Sequence, residues 1–289
     1  MYAVAGVSGN TGSAVARTLL GQGLPVRVIV RSEAKGAAWA AQGAQVAVAE
    51  ISDAGAMTKA LSGVAGAYLL NPPAYGEGDT FARAAQVAAA LGLAASASEV
   101  PKIVVLSSVG AHRDAGTGII RANAIVEQEL AGKAPSVVFV RASYFMVNWA
   151  PMAGVVGITG TLPSFLHPLD RAIPMVSPAD IGRVSAEALL EDWSGTRIVE
   201  LEGPAHYSPN DAAAAFSKAV GSPVTAVAVP DTQWSSLMGM GGIPSPVIPH
   251  FIEMFHGLNN GTVDFEGAGA SHIYGRVTLE EEIARLVKG

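Results

Sequence analysis

The residues with the clearest chemical signature are three glycines near the start of the chain, Gly6, Gly9 and Gly12, which form a G-x-x-G-x-x-G motif. Glycines let the backbone turn tightly and approach a pyrophosphate, and the free N–H groups of a helix N-terminus attract its charge. We predict a dinucleotide site here, with a merely tight strand-to-helix turn as the alternative. A side chain at Gly9 or Gly12 is expected to abolish binding while the chain still folds. The predicted contacts are Gly6, Ser8, Gly9, Asn10, Thr11 and Gly12.

The residues after the second and third predicted strands indicate which dinucleotide binds. NAD sites usually carry an acidic residue about 20 residues beyond the glycines, where it binds the ribose hydroxyls. This chain has Arg31 there, and Lys35 follows four residues later. Both cations suit a 2′-phosphate, which favours NADP; ordinary solvated cations, restrained by Glu33, are the alternative. Asp53 is predicted either to face the adenine amine or to cap the helix that follows it.

Polar side chains at the ends of later strands provide donors for a reacting oxygen. Ser108, Tyr144 and Asn148 are the candidates for catalysis, because neutral hydrogen-bond donors stabilise an oxyanion that forms during hydride transfer. Each has a structural alternative: Ser108 supports a turn, Tyr144 packs in the core, and Asn148 bonds to backbone in its loop. His112 is either a proton shuttle or a solvated loop residue.

These residues are positioned by short apolar runs that alternate with Ala-rich helical stretches through the first half of the chain. Continuous apolar strands alternating with helices are typical of a parallel sheet covered on both faces. We therefore predict an α/β fold with a doubly wound parallel Rossmann sheet. The predicted strands are residues 2–7, 26–30, 45–48, 66–70, 102–107 and 136–141, and the predicted helices are residues 11–22, 34–41, 54–61, 79–91 and 119–130.

The pattern changes to Pro- and Gly-rich loops, helices and short strands after residue 150. We assign residues 1–150 to an NAD(P)-binding Rossmann domain and residues 151–289 to a small C-terminal α/β lobe that bounds the substrate pocket. Further strands are predicted at residues 197–201 and 224–229. Residues 232–251 are uncharged and contain Trp234, Leu237, Met238, Met240 and several Gly and Pro residues, which is typical of a mobile apolar lid; a loop that covers the core is the alternative.

Composition narrows the classes of function. The chain has 289 residues, a formal net charge of -6 and no cysteine. Its scattered Lys and Arg residues offer no basic face for phosphates, so nucleic acid is not an expected partner. The histidines lack the i, i+4 pairing of zinc enzymes, and no metal is predicted. The first strand runs directly into the glycine motif without a targeting segment, which favours a cytoplasmic location.

One uncharged stretch, residues 142–169, has the length of a membrane span. Asn, Pro, Gly and His residues interrupt it, whereas a spanning helix needs about 20 mostly apolar residues in succession. No membrane partner is therefore expected. The predicted partner is a small-molecule substrate, and a homodimer is left open.

Taken together, these motifs resemble the NmrA-like group of atypical short-chain dehydrogenases. The resemblance implies an NADP(H)-binding Rossmann domain and a small lobe that closes a pocket over the nicotinamide, with Asn71, Pro72 and Ser107 at the cofactor. The segments that carry it are the glycine turn, Arg31, Leu70-Asn71-Pro72-Pro73, Leu106-Ser107-Ser108, the Arg141–Trp149 segment with Phe145-Met146-x-Asn148-Trp149, Ile173-Pro174-Met175-Val176, Asp180-Ile181-Gly182 and Leu201-Glu202-Gly203-Pro204.

The sequence lacks the Tyr-x-x-x-Lys pair of ordinary short-chain dehydrogenases, in which the cation lowers the pKa of the phenol. Asn123 takes the place where many relatives carry a lysine, and we count it among the catalytic candidates; Arg121 could substitute as a cation if it faces the site. An amide supplies no charge, so the expected chemistry is hydride transfer to a flat apolar acceptor such as a quinone or enone. Members of the family that sense the cofactor without turnover make a regulatory protein the alternative.

Overall fold

A computed structural model describes residues 1–76 and 78–288 of the chain. The strands are β1 (Tyr2–Val4), β2 (Val26–Val30), β3 (Gln45–Val48), β4 (Gly66–Leu69), β5 (Lys102–Ser108), β6 (Ser136–Ala142), β7 (Tyr144–Phe145), β8 (Thr161–Ser164), β9 (Ile173–Val176), β10 (Gly195–Glu202), β11 (His206–Tyr207), β12 (Thr225–Ala228) and β13 (Ala270–Tyr274). The helices are α1 (Asn10–Gly21), α2 (Glu33–Ala40), α3 (Ala54–Leu61), α4 (Thr80–Ser98), α5 (Arg121–Leu130), α6 (Met152–Thr159), α7 (Pro178–Leu190), α8 (Pro209–Val220), α9 (Asp231–Met240), α10 (Ile248–Asn260) and α11 (Leu279–Lys288).

The described residues form an 8-stranded sheet in the order β13-β10-β6-β5-β4-β1-β2-β3, with every pair of neighbours parallel. Helices α3, α4 and α5 contribute to the apolar core on one face of the sheet, and α1, α2 and α7 to the core on the other. Because both faces are covered, the central strand β6 is buried along its whole length. The predicted doubly wound Rossmann fold is confirmed. The ends of the predicted elements differ by a few residues, most at α4, which continues to Ser98.

The second half of the chain contributes to this sheet as well as to the smaller lobe. Strand β10 pairs with β6 and β13 pairs with β10, so the sheet crosses the division that we placed at residue 150. The division of the chain into two domains stays a prediction. The remaining elements build the lobe around a separate apolar cluster, with β8 and β12 in a two-stranded sheet and β7, β9 and β11 in a three-stranded one.

Two residues near the start of α7 fix the position of this helix against the neighbouring elements. The carboxylate of Asp180 is 2% exposed and its Oδ2 accepts the backbone N–H groups of Arg276 and Val277, each at 2.8 Å. Gly182 packs against α1, where an added Cβ would lie 2.5 Å from that of Ala14. The acid therefore ties the segment after β13 to helix α7, and the glycine lets two helices approach closely.

Residues 232–251 belong to helices α9 and α10 and the turn between them, so the segment is helical and not a loop. Its role as a mobile lid stays a prediction. Trp234 is fully buried and its indole N–H donates to the Val229 carbonyl at 2.8 Å, so this residue belongs to the core. Phe251, at the other end of the segment, lines the cleft described below. In the part of the chain that the structure describes, no helix is long and apolar enough to cross a membrane.

Candidate functional site

The glycine turn lies where β1 gives way to α1, and its three glycines meet different constraints. Gly6 has a φ of 70°, and an added Cβ would lie 2.5 Å from the Leu70 side chain. At Gly12 a Cβ would lie 2.4 Å from the Ala5 carbonyl oxygen, which is backbone and cannot move aside. At Gly9 a Cβ would meet only the Gly6 oxygen, at 3.4 Å. Gly6 and Gly12 are therefore required by the turn itself, whereas the space at Gly9 is open.

The first turn of α1 presents unpaired backbone donors beside these glycines. Gly9 is the N-cap of α1 and provides no side-chain cap, so the N–H groups of Asn10, Thr11 and Gly12 have no partner within the helix. Helices α3, α4, α7 and α8, by contrast, are each capped by an Asp or Ser side chain. Free N–H groups and the positive end of a helix dipole suit an anion. The turn fits the pyrophosphate of a dinucleotide.

Arg31 directly follows β2 and Lys35 lies in the first turns of α2; both are exposed. Within residues 1–76 and 78–288 neither forms an ion pair, and Glu33 does not restrain them. Asp53 is the N-cap of α3, where its Oδ1 accepts the Ala56 N–H at 3.0 Å. The capping role that we offered as an alternative for Asp53 is therefore present, and its contact with adenine stays a prediction.

A cleft of about 530 Å³ opens where β5 and β6 end and the lobe begins. It brings together all four residues that we predicted to be catalytic, Ser108, Asn123, Tyr144 and Asn148. The predicted cofactor residues that line the same cleft are Asn71, Pro72 and Ser107. The Oδ1 atom of Asn71 is buried and has no hydrogen-bond partner among the described residues, so it can accept a bond from a bound ligand. Residues from one end of the sheet thus converge on a single space.

Tyr144 and Asn148 form a pair in this cleft. Burial raises the pKa of the Tyr144 phenol above its ordinary value, and a hydrogen bond with the Asn148 side chain lowers it by less. The phenol therefore remains protonated at neutral pH and can donate a hydrogen bond, but it is not a base. This state differs from the activated phenol of a Tyr-Lys pair, since no lysine lies among the residues that line the cleft.

Ser107 is held by a buried ion pair that the sequence did not indicate. Its hydroxyl donates to Oε1 of Glu127 at 2.5 Å. Arg141 donates to both oxygens of the same carboxylate, from Nε at 2.9 Å and from Nη2 at 2.7 Å, and also pairs with Glu266. A bidentate pair fixes the geometry of both partners, so it orients Ser107 in the wall of the cleft. The neighbouring Ser108 hydroxyl donates to the Val109 carbonyl at 3.0 Å.

Two side chains that the sequence offered as charge or proton carriers lie elsewhere. The Arg121 guanidinium stacks 5.1 Å above the Phe81 ring and lies outside the lining of the cleft, so it does not replace the missing lysine. His112 lies 3.7 Å from Asp264 and lines a separate cavity with Arg121. Neither residue is placed to touch a substrate in the cleft.

The opposite wall of the cleft consists of residues that the sequence analysis did not select as site residues. The Tyr75 and Phe251 rings meet edge to face with their centroids 5.3 Å apart. The other wall residues share only their place in the second half of the chain, and they include Ile173, Pro174, His206, Met254, Val263 and Phe265. They come from different segments with no common motif, so only their patterning as partly buried apolar residues could have suggested them.

Comparisons with known proteins match this architecture. A family model described as the NmrA-like family matches residues 2–282. An NAD(P)H azoreductase from Xenophilus azovorans is 28% identical over 256 residues, which cover 88% of this chain and 86% of that one. Quinone oxidoreductase 2 from Escherichia coli K12 is 26% identical over 299 residues, or 99% of this chain and 98% of that one.

Solved structures share the fold over the whole chain. The NADPH-dependent quinone oxidoreductase from Escherichia coli, complexed with NADPH, superposes with a TM-score of 0.81 at 24% identity and covers 99% of both chains. A triphenylmethane reductase from Citrobacter sp., complexed with NADP(H), gives a TM-score of 0.80 at 18% identity over 100% of this chain and 99% of that one. The sheet order and the lobe described above are therefore a known architecture.

Proposed function

Because the chain belongs to the NmrA-like family, we propose that it is an NADPH-dependent reductase that transfers hydride to a flat apolar acceptor such as a quinone or enone. Its relatives carry the names of an NAD(P)H azoreductase, a quinone oxidoreductase and a (4-alkanoyl-5-oxo-2,5-dihydrofuran-3-yl)methyl phosphate reductase. These are names of enzymes, which favours turnover over the sensing role that the sequence left open. A cytoplasmic location and the absence of nucleic-acid partners stay predictions.

The proposed cofactor site runs from the glycine turn to the cleft. The N–H groups at the start of α1 would hold the pyrophosphate, and Arg31 with Lys35 would pair with the 2′-phosphate. Asn71 and Ser107 would hold the part of the cofactor that enters the cleft. NADPH bound there supplies the hydride.

The observation that carries the proposal is the set of neutral donors in the cleft. Tyr144 and Asn148 are paired, and Ser108 and Asn123 line the same space. Neutral donors stabilise an oxyanion without themselves losing a proton, which suits acceptors that take hydride readily. A ketone with no conjugation has a single oxygen, and it needs a stronger acid there than the neutral Tyr144 and Asn148 side chains. The cleft therefore favours quinones and enones over simple ketones.

The test is NADPH oxidation with four acceptors: a benzoquinone, a conjugated enone, an azo dye and an aliphatic ketone. We expect turnover with the quinone, slower turnover with the enone, and none with the ketone. The azo dye decides whether the acceptor class extends to nitrogen. Rapid reduction of the ketone would contradict the neutral-donor mechanism, and tight NADPH binding without oxidation by any acceptor would overturn the reductase in favour of a sensor.

A further inference from the structure

Two histidines share one buried carboxylate beside the cleft. Glu202, the last residue of β10, is 4% exposed, and its Oε2 lies 2.6 Å from Nε2 of His206 in β11. Its Oε1 lies 2.7 Å from Nε2 of His272 in β13. His206 lines the cleft and keeps half of its side chain exposed, whereas His272 lies outside the lining. The carboxylate thus connects one cleft residue to one remote residue.

This pairing assigns a role to each nitrogen of His206. A carboxylate at hydrogen-bond distance keeps a proton on Nε2 and orients the ring, as the acid does in a hydrolase triad. The proton that can be exchanged is then the one on Nδ1. Imidazole both takes and gives protons near neutral pH. His206 consequently has the arrangement of a proton donor.

The three-stranded sheet gives the spacing between His206 and Tyr144. His206 pairs with Pro174, and Tyr144 pairs with Met175, so that strand β9 separates them. Two strand spacings place the two backbones roughly 10 Å apart. Both residues line the same cleft, so an aromatic ring between them would meet a neutral donor on one side and an imidazole on the other.

We propose that His206, oriented by Glu202, protonates the quinone oxygen that lies remote from the one that accepts the hydride. The inference rests on the proposed function and names its substrate as a quinone with two conjugated oxygens. The quinone accepts hydride at one oxygen, forming an O–H bond while the C–H bond of the dihydronicotinamide breaks. The negative charge moves through the ring to the second oxygen. The Nδ1–H bond of His206 then breaks, this oxygen takes the proton, and water reprotonates the imidazole.

Other charged groups near the cleft are already engaged. His272 occupies the second oxygen of Glu202. Arg171 donates to the Asn259 carbonyl, and Asp264 pairs with Arg113 at 2.6 Å. Among the described residues that line the cleft, His206 is therefore the titratable side chain that contacts an otherwise remote, buried carboxylate.

The first experiment compares two acceptors in His206→Gln. A quinone needs a proton to complete its reduction, whereas a cationic triphenylmethane dye becomes neutral on accepting hydride and needs none. We expect kcat with the quinone to fall about 100-fold, which is typical of a lost general acid, and kcat with the dye to remain unchanged. His272→Gln is the matched control and should reduce the quinone at close to the unmodified rate. An equal loss with both acceptors, or no loss with either, would overturn the role of His206.

The second experiment needs no turnover and separates this inference from the proposed function. Binding of 2,4-dinitrophenolate, a stand-in for the hydroquinone anion that stays ionised below neutral pH, is measured by calorimetry with the full chain between pH 5 and pH 8. We expect His206→Gln to weaken binding about tenfold at low pH and to remove its pH dependence, with the melting temperature unchanged. Glu202→Gln should also weaken binding, because the imidazole loses the carboxylate that orients it. Equal binding by all three proteins would refute the inference even if quinones are reduced.

Discussion

The proposed site has two sides that are specified in different ways, a cofactor wall at the glycine turn and an acceptor wall in the cleft. The cofactor wall depends on a contiguous motif, in which backbone conformation and missing side chains would do the binding. The acceptor wall is assembled from Tyr144, Asn148 and residues between 171 and 265, which lie on several separate elements. A site made of backbone can be recognised locally, whereas a site made of side chains depends on the tertiary fold. The first wall should therefore tolerate few substitutions and the second should be adaptable.

The largest expected effect is on the ion pair that holds Ser107 between the two walls. Arg141→Met leaves the Glu127 carboxylate buried without its partner, which costs about 3–5 kcal/mol of stability. Urea unfolding of both proteins measures this loss. Replacing both partners, as in Arg141→Met with Glu127→Leu, should recover most of the stability. If the single variant unfolds at the same urea concentration as the unmodified chain, the ion pair does not stabilise this part of the fold.

The next prediction distinguishes Gly9 from Gly12, for which the sequence analysis predicted the same loss of binding. Gly9→Val should keep the fold and lose at least about 100-fold in NADPH affinity, or about 2.7 kcal/mol, because its side chain fills the open space above the turn. Gly12→Val places a side chain against the Ala5 carbonyl and should destabilise the chain itself. Cofactor titration and thermal melting distinguish the two. Retained binding by folded Gly9→Val would show that the phosphates lie elsewhere.

A smaller effect concerns the acceptor wall alone. Tyr144→Phe removes the donor to the quinone oxygen on its side of the cleft and should lower kcat with a quinone about 10- to 100-fold, with NADPH affinity unchanged. Because burial raises the pKa of this phenol, it stays protonated through the neutral range, and the ratio of the two rates should not vary between pH 6 and pH 9. Steady-state rates across this range are the measurement. If the rate of the unmodified protein divided by that of Tyr144→Phe falls as the pH rises, the phenol ionises and loses its role as a donor.

The same contrast explains what the sequence could predict. Apolar strands alternating with helices identified the sheet, and the glycine turn identified its ligand end, because both patterns are local. When we placed the division at residue 150, we did not predict that β10 and β13 extend the sheet. The sequence of a strand does not show which strand it pairs with. Glu127 and Arg141 lie 14 residues apart, one on a helix and the other on a strand. The role proposed for His206 depends on its contact with Glu202 and on its place in the cleft. Contacts of this kind follow from packing.

The smallest expected effect tests whether the cofactor wall also selects between dinucleotides. NADPH should bind at least about tenfold tighter than NADH, which requires about 1.4 kcal/mol, because Arg31 and Lys35 are exposed and unpaired in the described part of the chain. Arg31→Ala should remove most of this ratio by weakening NADPH alone, and Lys35→Ala should remove less, since an ammonium forms no bidentate pair with a phosphate. Lys218→Ala, a cation on α8 in the lobe, controls for the change in net charge. Titration of both cofactors in low and moderate salt measures the ratio, which should shrink as salt screens the exposed charges. If Arg31→Ala weakens NADPH and NADH equally, the residue supports the fold of the β2 end, and discrimination must come from a side chain beyond the motif.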